Sequence, residues 1–185
     1  MPGAERPGEL RKRKAPITVR EIVLFALLGG LMFAQKYFLE QLVSVQFMAL
    51  LIVSSTLVYR AKALYPIYIY VFLYGMRAGF SAWWLPEVYI WLPLWGMAMA
   101  LPKNLPRKFA APMYMLACGV HGLAFGTMFA PVWALYAHLS WKATLNWIAA
   151  GLVTADLIHC INNIVWGVLV LPLAGLLRRL EKVKH

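Results

Sequence analysis

Apolar runs about as long as a bilayer is thick recur from residue 19 to residue 177 of this chain. A helix of about 20 apolar residues crosses the ~30 Å hydrocarbon core of a membrane. Only short segments between the runs carry charge, and Asp, Glu, Lys and Arg together make up 14% of the residues. Soluble domains of this size carry nearer ~25%. With 62% hydrophobic residues, the chain reads as an all-α, polytopic membrane protein. No segment outside the runs is long enough for a second domain.

Six apolar segments stand out, at 19–38, 43–59, 63–80, 86–101, 109–136 and 145–177. The fourth is short for a straight span and the sixth is too long for one perpendicular crossing. The cations test this count. Of the 18 Lys and Arg residues, all but Lys36, Arg77 and Lys142 fall on one side of a six-span bundle with both termini together. Excess Lys and Arg mark the cytoplasmic side, so the reading is N-in and C-in. Miscounting by one span destroys the asymmetry. Residues 1–17 form a basic tail, "RPGELRKRKAP" at its centre, expected to be disordered in the cytoplasm against anionic head groups or a partner. The run after the tail is too long for a signal peptide. Residues 18–185 form the single membrane domain. The net charge of +11 follows topology, so nucleic acid is not an expected partner. Cys118 and Cys160 both fall in apolar runs, without metal-ligand spacing.

The opposite side is aromatic. Trp83, Trp84, Trp91, Trp133, Trp141 and Trp147 crowd there with Tyr89 and Tyr136. They read either as an interfacial belt or, in part, as walls of an outward-facing pocket. In "TADLIHCINN", Asp156, His159 and Asn163 fall within roughly 60° of one another at 100° per residue. An acid inside a membrane span marks a functional site by default. Otherwise the group is helix glue. Two rulers place Asp156 differently. Counted back from Arg178 it lies near the outer hydrocarbon edge, and counted in from Trp147 it lies nearer the midplane. Glu87 follows Pro86 in a first helical turn, where the helix dipole favours an anion. His121 lies well inside the fifth span. Arg77 either snorkels or pairs with Glu87 or Glu40. Ala26, Gly30 and Ala34 recur every four residues in "ALLGGLMFA", a small-residue groove for a neighbour within the bundle or for another subunit.

Enzyme readings find no purchase, since G-x-S-x-G, H-E-x-x-H and G-x-x-x-x-G-K-[ST] are all missing. Asp156 and His159 provide two ligand types on one face but no third for a metal. No inverted repeat of the secondary-transporter kind is visible.

In this combination the chain resembles the substrate-binding S components of energy-coupling factor (ECF) transporters, bacterial importers of vitamins and similar micronutrients. The resemblance covers residues 18–182. It rests on size, the six-span topology, Ala26-x-x-x-Gly30-x-x-x-Ala34 where the family has A-x-x-x-A, the run "ALYPIYIYVFLYGMRAGFSAWWLPEVYIWLPLW", and "ADLIHCINN". It looks like a branch without an assigned substrate. The resemblance implies a multi-pass protein of the bacterial plasma membrane that captures a vitamin-like molecule from outside. Ala26, Gly30 and Ala34 would dock on a coupling membrane subunit driven by two ATPases, which use the ATP. The chain itself would need no cofactor. The order of Glu87, His121, Trp133 and Asp156 resembles the thiamin-specific members, with Asp156 where an amide is expected. The implied substrate contacts are Trp84, Glu87, Tyr89, Trp91, His121, Trp133, Asp156 and His159. Members that import nickel or cobalt need a histidine after the initiator Met, and Met1-Pro2-Gly3 departs from that. The alternative is a membrane scaffold of the rod-shape determinant MreD type, which needs no closed pocket.

Overall fold

The computed structural model describes residues 17–39, 45–102 and 105–182. Eight α-helices and one 3-10 turn account for the regular structure among them. The first helix, α1 (Val19–Leu39), starts where its sequence supplies a capping box. The Thr18 Oγ1 accepts from the Glu21 N–H at 3.2 Å, and a Glu21 carboxylate oxygen accepts from the Thr18 N–H at 2.9 Å. Two orphan donors of the first turn are thereby satisfied. Then come α2 (Met48–Tyr59), a 3-10 turn (Arg60–Ala63), α3 (Leu64–Ala78), α4 (Glu87–Ala100) and α5 (Arg107–Tyr136). Glycine at the left-handed position Gly79 closes α3, as helix ends favour.

Side-chain pairs fix the direction of each helix. Phe25 stacks on Tyr65 at 5.7 Å and Arg77 lies 4.8 Å over the Tyr37 ring, so α1 and α3 run parallel. The Gln35 side chain accepts from the Phe47 N–H at 3.0 Å, and Phe25 meets Tyr59 edge-on at 5.1 Å, so α2 runs against them. Tyr89 donates to Met128 O at 2.7 Å, and His121 Nε2 to Ile90 O at 2.8 Å, joining α4 to α5. Alternation gathers Arg20, Arg60, Lys62, Lys108, Arg178 and Arg179 at one end, called here the basic end. The other, aromatic end holds Trp83, Trp84, Trp133 and Trp147. Arg6, Arg11, Lys12, Arg13, Lys14, Lys103 and Lys184, and the tail to residue 16, lie outside the described residues. Between the ends, Met32, Met48, Ile52, Tyr70, Ile90 and Leu94 form a fully buried core.

Three stretches are long and apolar enough to cross a membrane: Val19–Leu39, Met48–Ala78 and Lys108–Tyr136. The second is a hairpin rather than a rod. Its two arms have 12 and 15 residues, which at 1.5 Å per residue is roughly 18–22 Å of rise. Arg60, with φ of 53°, reverses the chain between them. With 14 residues, α4 is equally short.

The last apolar segment departs most from expectation. Instead of one long helix it is α6 (Trp141–Leu152), α7 (Ala155–Gly167) and α8 (Val170–Lys182). The first two, bent by 40°, qualify together as a fourth candidate span. The bend at Val153 and Thr154 explains why the two depth rulers disagree: they measure along different helices. Antiparallel to α5, α7 packs closely enough that a Cβ on Gly122 would come within 2.8 Å of the His159 and Cys160 backbone.

Candidate ligand site at the aromatic end

A cavity of about 600 Å³ opens at the aromatic end, between α1, α3, α4, α5, α6 and α7. Its charged and imidazole lining comes from three helices: Lys36 on α1, Glu87 on α4, and Asp156 and His159 on α7. Its apolar lining is mostly aromatic, with Tyr74, Trp83, Phe125, Phe129 and Trp147. Aromatic walls with a few fixed polar groups are the usual composition of a small-molecule site.

Glu87 is 3% exposed and well partnered. One carboxylate oxygen accepts from the Tyr70 hydroxyl at 2.8 Å and from the Trp91 indole N–H at 2.7 Å. The other faces the Lys36 ammonium at 4.0 Å. The partner that sequence reading offered, Arg77, sits over Tyr37 instead; Glu40 lies outside the described residues. Lys36 also stands 5.7 Å from the Tyr74 ring.

Asp156 is 2% exposed and differently placed. Its Oδ1 accepts from the Gly126 N–H at 2.8 Å. Among the described residues, its Oδ2 has no hydrogen-bond partner. Glycine is required at 126, because a Cβ there would stand 2.5 Å from Oδ2. A buried acceptor left unmet costs about 1–3 kcal/mol, more if charged. A ligand donating to Oδ2 recovers that energy. Beside it, the Gln46 side-chain amide donates to His159 Nδ1 at 2.9 Å. In that tautomer the proton lies on Nε2, leaving a donor for the cavity.

The other expected contacts lie off the cavity surface, Trp91 and His121 buried behind it. Trp91 is buried and stacks on His121, ring centres 5.3 Å apart. Phe125 stands in front of both, 6.0 Å from Trp91, 6.3 Å from His121 and 5.2 Å from His159. Trp84 donates to Val71 O at 2.8 Å, and Tyr89 ties α4 to α5. Trp133 pairs with Trp83 at 4.5 Å. None of these five lines the cavity. Sequence reading missed Lys36 and Phe125. Lys36 carried a signal: it is one of three cations on the cation-poor side. Phe125 carried none. Asn163 holds α7 to α5 by donating to Cys118 O at 3.2 Å.

On α1, Ala26 is exposed, and a Cβ on Gly30 would meet nothing within 4 Å. Gly29, not Gly30, packs inside the bundle, with Ile69 2.5 Å from its would-be Cβ. Among the described residues, no three His, Cys, Asp or Glu side chains are grouped to hold a metal ion. No family model, curated protein or solved structure matches the chain.

Proposed function

We propose that this chain is the substrate-capture subunit of an ECF-type importer in a bacterial plasma membrane. It crosses the membrane six times, takes a vitamin-like small molecule into the aromatic-end cavity, and delivers it through a coupling subunit driven by two ATPases. The observation that carries the reading is the Asp156 carboxylate, buried at the cavity wall with Oδ2 unpartnered. A ligand donor would meet that oxygen, which supports the capture reading. The chemistry of the lining favours a flat molecule with an N–H donor or positive charge, laid against Phe125, Phe129 and Trp83. The open face of Ala26 and Gly30 suits close approach by a helix of the coupling subunit. A scaffold of the MreD type needs no acid-lined cavity.

The test is mass spectrometry of small molecules retained by the detergent-purified chain. The wild type should carry one nitrogenous compound, and Asp156→Asn should lose it while remaining folded. A wild type that retains nothing, even after incubation with a vitamin mixture, rules the capture reading out in favour of the scaffold.

A further inference from the structure

A second cavity, of about 760 Å³, lies at the basic end between α2, α5 and α8. Its floor is Leu57, Leu105, Ala110 and Leu171, and its mouth carries Arg178 and Arg179. The fold creates this crevice by tying α8 to α2. Ser54 Oγ donates to Val170 O at 3.2 Å, and Ala110 and Tyr114 of α5 line the cavity from the other side. Gly175 lines the opening, and a Cβ there would meet nothing within 4 Å. Both arginines are exposed.

We infer that this cleft is a binding site for one anionic glycerophospholipid, its phosphate held by Arg178 and Arg179 and an acyl chain laid on the apolar floor. Three observations combine. The cavity is lined by residues of three helices, α2, α5 and α8. Its apolar part lies deeper along α8, at Leu171, and its charge lies toward the chain end, at Arg178, as in a lipid standing in its leaflet. The end it occupies is the one rich in cations, which faces the anionic cytoplasmic leaflet. Basic pockets between membrane helices on that side recognise anionic head groups. A soluble anion would use the arginines but leave the apolar floor against water. This inference does not depend on what the aromatic-end cavity binds.

The test is native mass spectrometry of the full chain released from detergent and titrated separately with phosphatidylglycerol, phosphatidylcholine and glycerol phosphate. Phosphatidylglycerol should be retained about tenfold more strongly than phosphatidylcholine, and glycerol phosphate not at all. Changing Arg178→Gln together with Arg179→Gln should abolish the preference. Gly175→Leu, which builds into open space, should lower retention of both lipids. An unchanged melting temperature shows that each variant is folded. Equal retention of the two lipids by the wild type overturns the inference, and so does a preference that survives the double arginine change. Glycerol phosphate retained as well as the lipid assigns the cleft to a soluble anion and equally overturns it.

Discussion

The two cavities are of similar size, about 600 and 760 Å³, yet they place charge oppositely. At the aromatic end, the acids are buried in the wall, 3% and 2% exposed, and each is held by named donors. At the basic end, the arginines stand exposed at the mouth above an apolar floor. Charge held at depth in fixed geometry selects among ligands, because a wrong ligand leaves it unmet. Charge at a rim attracts a whole class of ligand and is screened by salt. Cavity volume does not distinguish the two ends; the burial of the charge does.

The sharpest way to break this comparison is Asp156→Asn. The amide keeps an acceptor for the Gly126 N–H and replaces the unpartnered oxygen with a donor. Retention of the co-purified ligand should fall about 100-fold, as expected for losing a hydrogen bond to a charged group worth up to ~3 kcal/mol. Isothermal titration checks it, and a change under about threefold would show that Oδ2 does not meet the ligand. Next in size is a matched pair of glycines, one per cavity. Gly126→Ala drives a Cβ against Asp156 Oδ2 and should cost about 1–3 kcal/mol as overpacking. Gly175→Ala meets open space and should gain up to ~1 kcal/mol of helix propensity. Denaturation in mixed micelles should therefore give opposite signs, and equal signs would show that the ends are packed alike. Tyr70→Phe removes one donor from Glu87 and should cost about 1.5–3 kcal/mol, read by the same method. Smallest is Lys62→Ala at the basic end. It breaks the Lys62–Glu21 pair, which is 34% and 17% exposed, and should cost less than ~1 kcal/mol.

Composition made the helical class legible, and the cation pattern made the two ends legible, because both depend on single residues and on order along the chain. The small groove on α1 was visible too, but not its outward direction, which depends on Gly29 rather than Gly30 meeting α3. Asp156 was found as an acid in an apolar run. The rest of the cavity lining was not, because Lys36 and Phe125 come to it from helices far away in sequence. The breaks that divide the last segment were hidden for another reason. Val153, Thr154, Val168 and Leu169 include no Pro or Gly to announce them. The expected contacts at Trp84, Tyr89, Trp91, His121 and Trp133 do not line the cavity. Sequence places such rings at the right end without saying which ones reach the surface.

One further consequence follows from where α4 and α7 begin. Glu87 occupies the first turn of α4, and Asp156 the first turn of α7. Both helices therefore point their positive ends at the same cavity, each masked by its own acid. Neutralising either acid does more than subtract a negative charge: it unmasks a helix terminus. The cavity's preference for donors is thus held in place by two side chains over a scaffold of opposite polarity. A chain carrying serine at both positions would keep the walls and the volume but present the ligand with a site suited to anions.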